Sequence, residues 1–392
     1  MLNFRPSDEE LAIAQTVRDF VSKELKPLEA NILQRGANGG PEYLIPEEHA
    51  GLRERAKNAG LWGIDTPEEY GGADLNWVAQ LLIESELRST FVSFTFGGSA
   101  PEVLYTLGEE HKERYLVPTI EGEKVFCFAL SEPGAGSDAR NLRTTAVKSG
   151  DDWIINGEKT WISWGNEADY ALVFCRTVVD GEERGITSFL IDREAGWTST
   201  PIALMGASHH RVATLSFQDV RVPDSARAGD VGAGFSTALQ TIYRGRAIEG
   251  PALAIGVSQR LIEFAIEHAN NRVTFGKPLA ERENIKMSIA ECEVELQAMK
   301  LLALNAAWRG DTGGDLRHLA AVNKYYAGTM VNRVVDRVMQ IHGAMGYSRE
   351  MPIEHWYRDV RVLRILEGTD EINLMTVGRN LLKGYVKPGA VY

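Results

Sequence analysis

The sequence predicts an α+β protein with an N-terminal α-helical domain, a central β-domain and a C-terminal, four-helix-bundle-like α-domain. Three observations support this prediction. Apolar residues recur every three or four positions before about residue 122, short runs of β-branched and aromatic residues follow between 125 and 230, and long Ala-, Leu-, Glu- and Lys-rich segments resume after 234. We therefore expect domains at 1–124, 125–233 and 234–392.

The N-terminal domain is predicted to begin with a capped helix. Ser7 precedes Glu10 by three residues, which is the spacing of a capping box. The apolar stripe of this helix consists of Leu11, Ala14, Val17, Val21 and Leu25. Because proline cannot continue a helix, we expect the helix to end before Pro27.

The central domain is predicted to consist of short strands joined by tight turns. Asn156 and Gly157 lie between two apolar runs and are the strongest local signal for a β-hairpin. Asp180 and Gly181 form a second turn signal. Trp153, inside one of the runs, is expected to pack in the core.

The C-terminal domain is predicted to be an antiparallel helical bundle. One helix face carries Val331, Val334, Val335, Val338 and Ile341. The glycine-rich stretch at 310–314 is expected to be a turn between two helices.

Composition and charge exclude several classes of protein. The chain has 392 residues and a net charge of −12, which disfavours nucleic acid and membrane surfaces as partners. It contains no apolar run long enough for a membrane helix, and its N-terminus lacks the pattern of a signal peptide. Its three cysteines show no metal-site or disulfide spacing, so we expect reduced core thiols and a cytoplasmic location.

The stretch SEPGAGSDA at 131–139 matches the glycine pattern of a dinucleotide-binding loop. That loop works only when a helix begins at the glycines, and the residues that follow here show no amphipathic helix and lead into a predicted hairpin. A Rossmann fold is therefore excluded. Two alternatives stay open: a glycine loop that lets a flat ring or an anion approach the backbone, or a tight turn without a ligand.

Several motifs occur together and in order along the chain. They are SEPGAGSD at 131–138, WIS at 161–163, RVTFGK at 272–277, QIHG at 340–343 and LEGTDEI at 366–372. This set resembles the acyl-CoA dehydrogenase family over nearly the whole chain. The resemblance implies FAD as cofactor, an acyl-CoA thioester as substrate, an electron-transfer flavoprotein as electron acceptor, and a homotetramer or homodimer.

The resemblance also implies which residues bind FAD. The flavin contacts are expected from Phe128, Leu130, Ser131, Gly136, Ser137, Trp161 and Ser163. FAD of a neighbouring subunit is expected to meet Arg272, Thr274 and Phe275, and the loop with Gln340 and Gly343 is expected to meet the adenosine end of FAD. Thr369 and Glu371 complete the set, although Glu283 and Glu371 stand where the medium-chain enzyme carries glutamine, and both lack the amide donor.

The same resemblance places the catalytic base at Glu367. A carboxylate suits this role if loss of water raises its pKa towards 6 or 7 from roughly 4.3. Substrate contacts are expected from Ser137, Tyr243, Arg246 and Gly368. Some relatives place the base just before this arginine, where this chain has Gly245.

The segment after Arg246 is one residue longer than in the medium-chain enzyme, which indicates a bulge or a shifted register. Two other functions stay open: a flavin-dependent oxidase or monooxygenase on the same fold, and a binding protein without a base. No metal site is expected, because His209 and His210 lack a spaced third ligand.

Overall fold

The computed structural model describes residues 5–97, 100–206 and 211–390. His209 and His210 lie outside these ranges. The chain folds as a helical segment, a sheet and a second helical segment, in the order predicted from the sequence.

Seven α-helices precede the sheet in the part of the chain that the structure describes. They are α1 (Asp8–Phe20), α2 (Glu29–Ala37), α3 (Pro46–Asn58), α4 (Trp77–Leu87), α5 (Glu102–Tyr105), α6 (Glu109–His111) and α7 (Val117–Ile120). The capping box at the start of α1 is confirmed, because the Ser7 hydroxyl accepts the Glu10 N–H while the Glu10 carboxylate accepts the Ser7 N–H. The helical path continues past α1 in a π-helical turn, Val21–Leu25, before Pro27.

The central sheet has seven strands. They are β1 (Phe126–Ala129), β2 (Thr145–Ser149), β3 (Asp152–Ser163), β4 (Tyr170–Val179), β5 (Glu182–Asp192), β6 (Thr198–Pro201) and β7 (Val212–Pro223). The strands are ordered β1-β4-β2-β3-β7-β6, and β5 also pairs with β4. β1 and β2 run parallel to β4, and the other pairings are antiparallel.

The predicted hairpin turn at Asn156 and Gly157 is wrong, because β3 runs straight through both residues. They lie opposite a bulge in β7, and the turn between β2 and β3 lies at Gly150 and Asp151. Gly157 is needed for close approach rather than for a turn, since a Cβ there would lie 2.6 Å from the Cα of Thr144. The turn at Asp180 and Gly181 is confirmed, and both residues have positive φ.

The C-terminal segment contains a helical bundle and a short two-stranded ribbon. Its elements are α8 (Gly234–Arg244), α9 (Gly250–Asn271), β8 (Val273–Thr274), β9 (Lys277–Pro278), α10 (Glu283–Asp311), α11 (Arg317–His342), α12 (Ala344–Tyr347), α13 (Ile353–Val360) and α14 (Asp370–Leu382). A π-helical turn, Gly245–Glu249, joins α8 to α9. The predicted turn at 310–314 is confirmed in part: Gly310 and Asp311 are the last residues of α10, and the turn follows at 312–313 before α11.

The first and last helical segments share one hydrophobic core. Val17 and Leu81 from the N-terminal helices pack in the same cluster as Leu261, Leu296 and Val334 from the bundle. A second cluster fills the sheet, and it includes Trp153 as predicted. A third cluster lies between the sheet and α5, α7 and α8. The sheet is therefore attached to the helices along one face, beside α8.

All three cysteines are buried free thiols, as expected. Burial raises the pKa of Cys127 and Cys175 to about 12 and that of Cys292 to about 11. None of the helices in the described ranges combines the length and the apolar character needed to cross a bilayer.

Candidate active site

Glu367 lies in a tight turn that leads into α14. Glu367 and Gly368 both have positive φ, +54° and +87°. The next residue, Thr369, caps α14, because its hydroxyl accepts the Ile372 N–H at 3.3 Å, and Asn373 donates to the Gly368 carbonyl at 2.8 Å. The backbone around Glu367 is therefore held in a left-handed conformation by the start of a helix.

The π-helical turn Gly245–Glu249 packs directly against Glu367. A Cβ at Gly245 would lie 2.5 Å from Oε1 of Glu367, so only glycine leaves room for the carboxylate there. One residue further on, Arg246 Nε donates to the Glu367 carbonyl. The extra residue detected in the sequence is thus absorbed as a π turn, one residue wider than an α-helical turn, which confirms the predicted bulge.

The surroundings of Glu367 favour its protonated form. Burial raises the pKa of its carboxyl group from 4.5 to about 7, and the negative charge of Glu249 adds to this effect. Arg246 and Lys324 oppose it. Lys324 lies beneath the turn and donates from Nζ to the Leu363 carbonyl, and burial lowers the pKa of this ammonium group to about 8. Loss of water therefore outweighs the two nearby cations.

A second group of predicted residues lies in the glycine loop after β1. The loop is anchored by Glu132, whose carboxylate accepts the backbone N–H groups of Arg143 at 2.6 Å and Thr144 at 2.9 Å. The Lys159 ammonium lies 2.8 Å from the same carboxylate, and its side chain is fully buried. Because a buried charge is tolerated only with its partner, this pair fixes the loop to β3.

Trp161 lies beside this loop on β3. The Thr160 N–H donates to the Ser131 carbonyl at 2.9 Å, which joins the strand to the loop. At a bulge in β3, Trp161 takes a φ of +61°, and 60% of its side chain is exposed. Ser163 is half-buried at the end of the strand. The backbone thus holds a large aromatic ring outside the core, although burial would stabilise it.

Phe128 and Leu130 face a different environment from the rest of this group. The Phe128 ring packs 4.9 Å from that of Phe174, and Leu130 is buried in the cluster between the sheet and the helices. The Leu130 carbonyl accepts from Lys159. The side chain of Leu130 therefore packs in the core, and a ligand beside the loop would meet its backbone.

The residues around the loop fit a flavin. At Gly134 and Gly136, no described atom lies within 4 Å of the place where a Cβ would stand, so a flat ring can approach the loop backbone. Gly136 and Ser137 are exposed, and Trp161, whose neighbour Thr160 is bonded to the start of the loop, offers an exposed aromatic face. The hydroxyl groups of Ser131, Ser137 and Ser163 supply hydrogen bonds for polar ring edges.

A third group lies at one end of the helical bundle. The His268 and His342 rings stack with centroids 4.4 Å apart, and this contact joins the end of α9 to the end of α11. It brings Arg272, which follows α9, towards Gly343, which follows α11. Arg272, Gln340 and Gly343 are all exposed.

The segment after Arg272 presents Phe275 to solvent. This ring is 96% exposed and its φ is +49°. The Arg282 guanidinium lies 5.7 Å from the ring centroid, and it also donates to the Thr274 carbonyl at 2.7 Å. The predicted residues therefore form three groups: around Glu367, at the glycine loop, and at this end of the bundle.

The remaining predicted residues occupy the surroundings of these groups. Tyr243 is half-buried on α8, two residues before Gly245, whereas Glu371 is exposed in the first turn of α14. In the described ranges, no three His, Cys, Asp or Glu side chains are arranged to hold a metal ion.

Sequence reasoning missed Glu132, Lys159 and Lys324. Glu132 lies inside a quoted motif, so its position could have suggested a role. The two lysines carry no local signal, because lysine is usually exposed and only the assembled packing shows that they are buried.

The fold and these groups define the class as FAD-dependent oxidoreductases. Three family models match the chain in order: "Acyl-CoA dehydrogenase, N-terminal domain" at 7–123, "Acyl-CoA dehydrogenase, middle domain" at 127–220 and "Acyl-CoA dehydrogenase, C-terminal domain" at 232–382.

Curated relatives and solved structures agree with these models. The chain is 37% identical to the 3-(aryl)acrylate reductase of Clostridium sporogenes, over 95% of this chain and 98% of that protein. It is 35% identical to the human mitochondrial short-chain specific acyl-CoA dehydrogenase, over 95% and 90%. The structure of butyryl-CoA dehydrogenase from Megasphaera elsdenii matches with a TM-score of 0.85 and 30% identity, over 97% and 100%.

The chain belongs to the acyl-CoA dehydrogenase family. It is an FAD-dependent oxidoreductase that acts on the CH–CH group of an acyl-CoA thioester. The resemblance stated from the motifs is confirmed.

The contact between Gly245 and Glu367 generates a prediction. Gly245→Ala introduces a methyl group 2.5 Å from Glu367 Oε1 and displaces the carboxylate. We expect anaerobic flavin bleaching by butyryl-CoA to slow by about 10²-fold, the effect of a misplaced catalytic group. Gly250→Ala is the matched control, because its Cβ would lie at an ordinary 3.5 Å from the nearest described atom. Equal bleaching rates for the two variants would show that the clearance at Gly245 does not hold the Glu367 carboxylate in position.

Proposed function

We propose that Glu367 is the general base that removes the α-proton of the acyl-CoA thioester. The observation that carries this proposal is the environment of the Glu367 carboxyl group. Its pKa is raised to about 7, and it packs against Gly245 so closely that a Cβ at position 245 would lie 2.5 Å from Oε1. A base with a pKa near the working pH combines a large ionised fraction with adequate basicity. Bound FAD supplies the acceptor for the β-hydride.

Neighbouring groups support the base. Arg246 binds the Glu367 carbonyl, which leaves the Glu367 N–H on the other side of the peptide turn to donate to the thioester oxygen. Gly368 makes room for Arg246, since a Cβ there would lie 2.6 Å from the guanidinium, and it is a proposed substrate contact beside the base. Tyr243 on α8 and Ser137 on the glycine loop are the proposed contacts for the rest of the substrate.

The glycine loop group is the proposed flavin site. Phe128, Leu130, Ser131, Gly136, Ser137, Trp161 and Ser163 surround it. The group at the end of the bundle, together with Thr369 and Glu371, is proposed to meet FAD of a second subunit. Its exposed arginine, Arg272, suits a pyrophosphate because the planar guanidinium donates two parallel hydrogen bonds.

A homo-oligomer is the proposed assembly, a dimer or a tetramer. Met287, Val294 and Leu301 on α10 are 64%, 69% and 55% exposed. Their spacing of seven places them on one face of the helix, so they form an apolar stripe. A stripe of this kind, together with the exposed Phe275, is typical of a surface covered by another subunit.

The proposed electron acceptor is an electron-transfer flavoprotein, as the family resemblance implies. The proposed location is the cytoplasm, since three buried free thiols suit a reducing compartment.

Replacing the base tests the central proposal. Glu367→Gln keeps the shape of the side chain but cannot accept a proton. We expect FAD content and acyl-CoA binding to stay at the parent level while anaerobic flavin bleaching slows by about 10²–10⁴-fold or more. Glu267→Gln, an exposed substitution on α9, is the control and should bleach at the parent rate. Bleaching of Glu367→Gln at the parent rate would disprove the assignment.

The raised pKa of Glu367 predicts the pH dependence. The group accepts a proton only when ionised, and below its pKa of about 7 the protonated form dominates. We expect the rate constant for flavin bleaching to fall about tenfold per pH unit below that point and to level off above it. Stopped-flow measurements across this range check the prediction. An inflection near the ordinary value of 4.5 would show that the site does not shift this carboxyl group.

The apolar stripe on α10 predicts the assembly. Val294→Lys places a charge in the centre of the stripe, so we expect the oligomer to dissociate and FAD to be lost with it. Size-exclusion chromatography with light scattering and the ratio of flavin to protein measure both effects. Leu11→Lys, which changes an exposed apolar residue on α1, is the control and should leave both unchanged. An oligomer that survives Val294→Lys would place the interface elsewhere.

A further inference from the structure

A polar cavity lies between α4 and the π-helical turn. Its volume is about 130 Å³. Four apolar side chains contribute to its wall, those of Ile64, Ile83, Phe96 and Ile248. The wall also carries seven polar or charged side chains, namely Asp65, Gln80, Glu84, Arg88, Thr95, Arg244 and Glu249. This composition is unusual for a cavity between two helical segments that otherwise share an apolar core.

The cavity is adjacent to the catalytic carboxylate. Ile248 and Glu249, which line it, belong to the same π turn whose first residue, Gly245, contacts Glu367. The charge of Glu249 also acts on the Glu367 carboxyl group. The cavity wall is therefore separated by a single π turn from the residue at which the thioester would be held.

The charges on the cavity wall are only partly neutralised. Arg88 pairs with Glu84 at 2.9 Å, which leaves Arg244 for two carboxylates. Arg244 lies 3.5 Å from Asp65 and 4.0 Å from Glu249, and both distances are long for an ion pair.

The acidic groups outnumber the basic ones. The wall carries three carboxylates and two guanidinium groups. Loss of hydration inside the cavity raises the pKa of Asp65 and of Glu249. Behind the wall, the Oε2 atom of Glu102 is buried without a hydrogen-bond partner among the described residues.

An alkyl chain in this cavity would exclude water from the charged groups and return no hydrogen bond, which is unfavourable. A carboxylate at the end of the chain would meet an excess of negative charge. A hydroxyl or ammonium group would donate to Glu249 or Asp65 and satisfy these acceptors.

We propose that this cavity binds the far end of the acyl chain and selects acyl-CoA substrates whose terminus donates a hydrogen bond, with Glu249 as the main acceptor. This proposal rests on the proposed role of Glu367, because that residue places the thioester.

A matched series of substrates tests the selection. The series is hexanoyl-CoA with its ω-hydroxy, ω-amino and ω-carboxy derivatives, and kcat/KM is measured with the FAD-loaded enzyme. We expect the ω-hydroxy or ω-amino substrate to exceed hexanoyl-CoA by about tenfold or more, and the ω-carboxy substrate to be the poorest. Calorimetry with the corresponding S-alkyl-CoA thioethers, which cannot react, should give the same order of affinity.

The variant Glu249→Gln tests whether Glu249 is responsible for the selection. Glu249→Gln removes the charge at constant size, and comparing substrates within one variant cancels its effect on Glu367. We expect the advantage of the ω-amino over the ω-carboxy substrate to fall about tenfold or more, whereas Glu267→Gln should preserve it.

The outcomes separate the two proposals. If no acyl-CoA bleaches the flavin, the role proposed for Glu367 fails. If hexanoyl-CoA bleaches it as well as or better than the donor-bearing substrates, or the ω-carboxy substrate is preferred, only the polar cavity proposal is overturned. An unchanged order of thioether affinities in Glu249→Gln would overturn the part assigned to Glu249.

Discussion

The contact of Gly245 with the Glu367 carboxylate is the constraint on which the active site depends. The two residues are 122 positions apart in the sequence. They meet because the π turn and the start of α14 are packed against the same helix, α11. Any side chain at position 245 would occupy the space of the carboxylate. The backbone at position 367 must also adopt a positive φ, because a different φ would move the carboxylate away from Gly245.

The electrostatics of the site follow from this packing. Two cations, Arg246 and Lys324, lie near Glu367, and in water they would keep its pKa low. Neither forms an ion pair with the carboxylate in the structure, since Arg246 donates to the Glu367 carbonyl and Lys324 to the Leu363 carbonyl. Burial and the charge of Glu249 therefore prevail. The resulting shift from 4.5 to about 7 corresponds to roughly 3 kcal/mol in favour of the protonated form.

A second buried carboxylate serves a different purpose. Glu132 accepts two backbone N–H groups and an ion pair from Lys159, so its pKa is lowered although burial alone would raise it. Hydrogen bonds and a buried partner keep it charged, and it holds the glycine loop against β3. The two glutamates illustrate how the same side chain becomes either a proton acceptor near neutral pH or a permanent anchor. The number of compensating donors decides between the two.

Much of the architecture could be predicted from the sequence. The alternation of helical and strand periodicity determined the order of helix, sheet and helix, and the capping box of Ser7 and Glu10 determined the start of α1. Both signals depend on neighbouring residues alone. The motif set indicated the family. The extra residue after Arg246 was visible in the sequence, although whether it would form a bulge or shift the register was open.

The tertiary structure decided the features that depend on distant residues. Asn156 and Gly157 have the local composition of a hairpin turn, yet they lie inside a long strand, where Gly157 allows the close approach of Thr144 and β7 forms a bulge opposite them. The burial of Lys159 and Lys324, the single core shared by the first and last helices, and the charged cavity beside Glu249 likewise arise only when separate segments pack together. Local pattern specifies the backbone of each element, whereas burial, charge and clearance at the site are properties of contacts between elements.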